Sequence, residues 1–349
     1  MSAVNAVAEQ IPESMRASVL VAANTVVVEE RPVPAVPMGE VLAEVSAVGV
    51  CGSDVHYYRH MRAGDFVVDA PLVLGHEVAG RIVAVGEGVD PARVGQRVAI
   101  EPQRPCHVCR QCVEGRYNLC PNMRFYATPP VDGAFTQFIT APSMFAHTLP
   151  DNLSDDAGAL LEPLSVGIAS MRKAAISPGA TVLIAGAGPI GIISAQTARA
   201  FGAREVIVSD PVGPRRQRAL DYGATSVIDP TSEDVVGLDL GVDTFIDASG
   251  AAPAITAGIR AVRPAGTVVL VGLGNSELAL PVSVIQDREI NVTGIFRYTN
   301  TWPLAIHLVS SGQVDVDSLV TGRFDLDHVA QALESDRDPD SLKSIVVPA

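Results

Sequence analysis

At 349 residues the chain is long enough for two domains, each burying its own core. Its formal charge of −14 and pI near 4.9 repel phosphate backbones and anionic lipid, and no basic cluster offsets them. Nucleic acid and membrane surfaces are therefore excluded as partners, and a small neutral or cationic ligand is left.

The opening "MSAVNAVAEQIPESM" has neither the charged start nor the apolar run of a signal peptide, so a cytoplasmic location is expected. Up to about residue 150, short apolar segments such as "VLAEVSAVGV", "GRIVAVGEGV" and "QRVAI" are separated by Gly and Pro and predict a β-rich domain. Within it, Cys51 stands alone in "VGVCGSDVHYY", which taken by itself reads as a buried free thiol. Twenty-five residues on, His76 and Glu77 are adjacent in "GHEVAGRIVAVGEGV", a place where a histidine has no packing reason to be.

The next segment, "EPQRPCHVCRQCVEGRYNLC", holds Cys106, Cys109, Cys112 and Cys120 in the pattern C-x2-C-x2-C-x7-C. Two-residue gaps let neighbouring thiolates point at one centre, and tetrahedral Zn²⁺ with four sulfurs is the natural occupant. An iron–sulfur cluster, whose bacterial run the first three cysteines follow, and a redox couple are the alternatives. A disulfide framework is disfavoured by the expected compartment. A four-sulfur zinc site leaves no open coordination position, so it folds a loop and does no chemistry. Further on, "LLEPLSVG" puts the carboxylate of Glu162 at the start of a helix among apolar residues, where it is expensive without a partner. Cys51, His76 and a glutamate with water in the fourth position would make a catalytic zinc site. Spacing alone leaves this and the free-thiol reading both open.

"ATVLIAGAGPIGIISAQTARAFGAREVIVSD" reads as a strand, then Gly186-x-Gly188-x-Ile190-Gly191 opening a helix, Gly202 as its C-cap, and a second strand ending at Asp210. Strand, glycines, helix and a following acid together form a dinucleotide fingerprint. The glycines let a pyrophosphate approach the helix N-terminus. Asp210 would bond the ribose hydroxyls and repel a 2′-phosphate, favouring NAD over NADP, although Arg215 and Arg216 offer guanidinium groups that could accommodate that phosphate. "VDTFIDASG" and "GTVVLVGLG" alternate with a helical stretch over 253–262 and continue a doubly wound, parallel Rossmann sheet. The expected domains are 1–155, β-rich; 156–292, dinucleotide-binding; and 293–349, a return to the first.

Gly75-His76-Glu77-x2-Gly80-x5-Gly86-x2-Val89 resembles the signature of the zinc-containing medium-chain alcohol dehydrogenases, and the four-cysteine lobe follows where that family holds its structural zinc. Through "CGSDVHYY", "GDFVV", "ATPPVDGAF", "LEPLSVG", "GAGPIG", "VGLG" and "GIFRYTNTWP" the chain is most similar to the sorbitol and xylitol dehydrogenase branch, from about Met15 to its end. The resemblance implies an α/β protein with a GroES-like β-rich catalytic domain, a Rossmann cofactor domain and an active site in the cleft between them. It implies one catalytic and one structural zinc, with Cys51 and His76 as direct ligands of the catalytic ion. Glu162 stands where the ordinary alcohol dehydrogenases have a second cysteine, and whether Glu162 or Glu77 ligates directly stays open.

By the same resemblance Ser53 and His56 form a proton relay, with Ser53 and Glu162 also beside the substrate. Tyr57, Arg297 and Tyr298 bind substrate hydroxyls, and Phe125 walls the pocket. Arg215 lines the adenosine site, while Val271, Leu273 and Phe296 lie near the nicotinamide. From the residues alone Ser53 is as easily a turn hydroxyl, His56 a surface histidine, Tyr57 a packed ring and Arg297 an ion-pair partner. The implied activity is hydride transfer from a secondary hydroxyl of a polyol such as sorbitol or xylitol to NAD, giving the ketose, by a homodimer or homotetramer. A zinc-dependent secondary-alcohol or threonine-type dehydrogenase is the alternative.

Overall fold

The computed structural model describes residues 11–274 and 277–348. The chain forms two compact units, one of Met1–Glu162 with Asp317–Ala349, the other of Pro163–Val316. Among the described residues no helix is long and apolar enough to cross a membrane.

The first unit is built on a seven-stranded sheet. Its strands run in the order Ala146–Thr148, Arg97–Ile100, Glu77–Val85, Glu40–Gly49, Lys343–Val346 and Val320–Phe324, and Phe138–Pro142 pairs with the first half of Glu40–Gly49. Glu40–Gly49 is the hub and is nearly all buried, which explains why "EVLAEVSAVG" is apolar with little alternation. Its end sets the geometry that matters below: Gly49 is paired with Glu77 on one side and with Ile345 on the other. Val41, Ala43, Val45 and Val48 pack with Val78, Ile82, Val98, Ile100 and Phe135 in one cluster. Burying each large aliphatic or aromatic side chain there contributes about 1.5–3 kcal/mol.

The second unit is a six-stranded, all-parallel sheet in the order Ser226–Ile228, Glu205–Ser209, Thr181–Ala185, Val242–Asp247, Val262–Leu270 and Asn291–Gly294. In chain order this is 3-2-1-4-5-6, the doubly wound arrangement whose order reverses between the first and fourth strands. The helices Pro189–Ala200, Gly213–Asp221 and Ala252–Ala261 connect successive strands, so "TVLIA" and "FID" are buried on both faces.

Two boundaries differ from expectation. Asn291–Gly294 pairs in parallel with Val262–Leu270 as the sixth strand, and the helix Trp302–Ser310 also belongs to this unit, so the return begins at Asp317 and not at 293. Trp302, Ala305 and Leu308 are the buried stripe of that helix; truncating the fully buried Trp302 to Ala costs about 3–5 kcal/mol. Glu162 does not begin a helix either. It is the eighth residue of Asp155–Ala174, which continues through Pro163.

Candidate active site

The helix Gly52–His60 starts at Cys51, whose extended backbone (φ −100°, ψ 155°) makes it the N-cap. Asp54, three residues on, accepts a hydrogen bond from the Cys51 N–H at 3.0 Å with one carboxylate oxygen and from the Gly75 N–H at 3.0 Å with the other. The second oxygen also lies 3.6 Å from His76 Nδ1. One fully buried carboxylate thus fixes the Cys51 turn against the Gly75–His76 turn. Burial pushes the Asp54 carboxyl up, but the His76 imidazole and the two N–H groups outweigh it and hold Asp54 below the usual carboxylate range. Burial likewise disfavours a charged His76, yet Asp54 and the Cys51 sulfur hold its proton well above the usual imidazole range.

Glu77, the first residue of its strand, is 1% exposed and faces Lys343, which is 2% exposed. Lys343 Nζ donates to Glu77 Oε1 at 2.6 Å and to the Val50 carbonyl at 2.7 Å, and lies 2.5 Å from Oε2. A Cβ on Gly49 would sit 1.9 Å from that oxygen, so a larger residue there would push the carboxylate off its place against Lys343. Burial would lower the Lys343 ammonium, but Glu77, Cys51 and Glu162 outweigh it and raise it above the usual lysine value.

The donor atoms of Cys51, His76 and Glu77 all lie within 4.8 Å of one another. A tetrahedral zinc with bonds of about 2.0–2.3 Å needs its donors about 3.3–3.8 Å apart, so small side-chain rotations close this set on one ion. Thiol, imidazole and carboxylate are the ligand types zinc takes. Among the described residues Glu162 falls outside this three-donor set, although it is buried and its charge reaches Lys343. The Phe125 ring is 5.5 Å from the His76 ring, tilted by 56°. On the helix, Ser53 is half-buried, His56 exposed and Tyr57 buried. Ser53 and His56 share a face at i, i+3.

The second cysteine set is also assembled. Sγ–Sγ distances are 3.5 Å for Cys109–Cys112, 3.9 Å for Cys109–Cys120 and 3.5 Å for Cys120–Cys106. These match the edges of a tetrahedron around one ion at about 2.3 Å and are far from the ~2.05 Å of a disulfide. All five cysteines are free. Val108 and Cys109 N–H groups bring the Cys106 thiol down to about 6, whereas burial and the neighbouring sulfurs push Cys112 up to about 12. The lobe is pinned by His107 stacked on Phe145 and by Tyr117, which donates to buried Glu101 at 2.8 Å.

In the second unit, Gly186 (φ 98°) turns the chain out of its strand and Gly188 caps the helix Pro189–Ala200. A Cβ on Gly191 would lie 1.8 Å from the Gly186 carbonyl, so the close helix–strand approach requires glycine there. Ile190, between them, is half-buried. Asp210, 5% exposed, accepts the Ala187 and Val212 N–H groups at 2.8 Å each; each oxygen keeps further acceptor capacity for a ribose hydroxyl. Arg216 bonds the Asp210 carbonyl and the Asp229 carboxylate, while Arg215 is half-buried. At the neighbouring strand end, the Asp247 carboxylate accepts Ser249 N–H, Ser249 Oγ and Gly250 N–H at 2.8–3.0 Å, and its carbonyl accepts Val271 and Gly272 N–H at 2.9 Å. Val271 is half-buried, Leu273 and Phe296 exposed, and Tyr298 buried edge-on to Trp302. Arg297 holds a left-handed backbone (φ 59°), with its guanidinium 4.6 Å above the Phe296 ring.

The alcohol dehydrogenase GroES-like domain model matches residues 37–151, and the zinc-binding dehydrogenase model matches 189–311. A sorbitol dehydrogenase of Bacillus subtilis (strain 168) is 43% identical over 331 residues, 93% of this chain and 94% of that protein. The chain belongs to the zinc-containing medium-chain dehydrogenases, in their polyol branch. A D-xylulose reductase A of Aspergillus oryzae is 40% identical over 330 residues, covering 91% of this chain and 92% of that one. Among solved structures, a short chain alcohol dehydrogenase from Escherichia coli complexed with NADH has a TM-score of 0.89 at 29% identity, covering 96% of this chain and all of that one.

The chain is therefore an oxidoreductase of this zinc-dependent dehydrogenase family, with the GroES-like and Rossmann domains that the resemblance implied. The sequence reading missed three residues that organise its sites: Asp54, Lys343 and Asp247. Asp54 had a local signal, an acid three residues after a capping position. Asp247 had a weaker one, an acid at the end of an apolar strand. Lys343 had none.

Proposed function

We propose that this dehydrogenase is zinc- and NAD-dependent and oxidises a secondary hydroxyl of a polyol such as sorbitol or xylitol to the ketose. The observation that carries the reading is the convergence of the Cys51, His76 and Glu77 donor atoms within 4.8 Å of one another. The sorbitol and D-xylulose names of the relatives support the substrate class. When bound, zinc makes a coordinated hydroxyl more acidic and NAD accepts a hydride. Cys51 and His76 would hold the ion, with Glu77 or Glu162 as the carboxylate; Asp54 orients His76, and Lys343 orients Glu77.

Ser53 takes the hydroxyl proton and His56, exposed one turn on, passes it to solvent. Tyr57, Arg297 and Tyr298 offer hydrogen bonds to further hydroxyls, which a simple alcohol does not have, and Phe125 supplies an apolar wall. Asp210 binds the adenosine ribose, with Arg215 beside it and the Gly186–Gly191 turn receiving the pyrophosphate. Val271, Leu273 and Phe296 flank the nicotinamide. Cys106, Cys109, Cys112 and Cys120 hold a second, structural zinc. The reading includes a cytoplasmic homodimer or homotetramer.

A panel of sorbitol, xylitol, 2-propanol and threonine with NAD and NADP, followed at the nicotinamide absorbance, tests this function. Polyols with NAD are expected to be oxidised fastest, and metal analysis is expected to give two zinc ions per chain. Faster turnover of 2-propanol or threonine would replace the polyol by the simpler alcohol.

A further inference from the structure

We propose that His56 and His60 form a bidentate site for a divalent transition-metal cation of borderline softness, separate from the two zinc sites above. The two residues are one turn apart on the helix Gly52–His60, so both imidazoles leave the same helix face. Both are exposed, and their ring centroids are 6.0 Å apart at an interplanar angle of 47°. A cation about 2.0–2.1 Å from one nitrogen of each ring lies about 3.2 Å from each centroid, so rings sharing an ion have centroids about 5–6 Å apart. The pair is within a small side-chain rotation of that geometry. Two histidines at i, i+4 are the same chelating element that zinc-binding helices use.

Protons compete weakly for His56. Burial, the His60 ring and the Arg59 guanidinium all push the His56 imidazole below its usual value, which leaves it neutral, the ligating form, at neutral pH. Asp336, whose charge also reaches His56, is engaged by Arg59 through two hydrogen bonds of 2.8 and 2.5 Å, so water completes the coordination sphere. Two imidazoles with water suit Ni²⁺, Cu²⁺ or Zn²⁺ and not the hard ions Mg²⁺ or Ca²⁺. An ion held there occupies the lone pair with which His56 would receive the substrate proton. Excess transition metal therefore inhibits turnover, a consequence that rests on the relay role given to His56 above.

The test is calorimetric titration of the zinc-loaded full chain with Ni²⁺ at neutral pH, beside His60→Ala and His56→Ala variants, with circular dichroism melts to verify folding. One Ni²⁺ per chain is expected, with affinity lowered about 100-fold when either ring is removed, because a single imidazole loses the chelate. His60→Ala is expected to keep its nickel-free turnover and to resist inhibition by Ni²⁺. Nickel binding in His60→Ala equal to that of the parent chain overturns the site. Lost binding with unchanged inhibition overturns the inhibitory consequence alone. The calorimetric arm needs no substrate, so a failure of the polyol assignment leaves it readable.

Discussion

Replacing Lys343 with Met keeps an unbranched side chain of similar volume and removes only the ammonium. In the parent chain this ammonium and the Glu77 carboxylate are buried at 3% and 1% side-chain exposure, 2.5–2.6 Å apart, with Val50 accepting a further bond. An exposed pair such as Arg110–Glu114, at 85% and 39%, contributes about 0–1 kcal/mol. Removing one partner of a buried pair instead leaves an uncompensated charge and costs about 3–5 kcal/mol. For a unit of about two hundred residues that corresponds to a fall in Tm of about 6–20 °C.

Urea unfolding followed by circular dichroism, on Lys343→Met, Glu77→Gln and the double variant, measures it. The double variant is expected to be less destabilised than the two singles added together, since neither charge is stranded, with a coupling of about 2–3 kcal/mol. The folded pKa of Lys343 is raised, so with Glu77 ionised the ammonium's contribution is complete below about pH 10.4 and is lost as pH rises through the higher folded value. A single-variant loss below about 1 kcal/mol, with additive effects in the double, would refute the reasoning.

Two further outcomes are expected. Zinc bound by His76 must displace a proton held well above the usual imidazole value, and Cys51 binds as the thiolate, so the affinity of the Cys51 site should fall by at least about tenfold per pH unit below that raised value. In the metal-free chain the sign is reversed: the same shift stabilises the fold at low pH, and its contribution fades as pH rises through the raised value. Competition against a chromophoric chelator checks the metal side, and a pH-independent affinity would contradict it. Asp247→Ala strands the Ser249 and Gly250 N–H donors and is expected to weaken NADH binding, read by nicotinamide fluorescence, by about tenfold, equivalent to about 1.4 kcal/mol. Asp247→Asn should recover part of the loss, and unchanged binding in both variants would remove Asp247 from the cofactor site.

Several features were legible because their chemistry is local. The two-residue gaps between Cys106, Cys109 and Cys112 confine the sulfurs to one loop whatever the rest of the chain does. The step from "TVLIA" through Gly186, Gly188 and Gly191 to an Ala-rich helix has few solutions other than strand, tight turn and helix, and the structure has that order. His76 stood out as a residue without a packing role, whereas Cys51 taken by itself read as a buried free thiol. The site boundaries were less legible: a carboxylate at 77 and another at 162 have equal chemical claims on a metal when only spacing is known.

What the sequence by itself determined is this local vocabulary: a four-sulfur lobe, a dinucleotide turn, a thiol and an imidazole in search of a partner. The tertiary structure alone decided that the Glu77 carboxylate lies within 4.8 Å of both. Lys343 reaches Glu77 across 266 positions because the strand Lys343–Val346 pairs beside Gly49 on one edge while Glu77 pairs with Gly49 on the other. Strand register is fixed by the summed packing of a whole sheet, and a one-residue slip would turn the Lys343 side chain to the opposite face. No short stretch of residues carries that information.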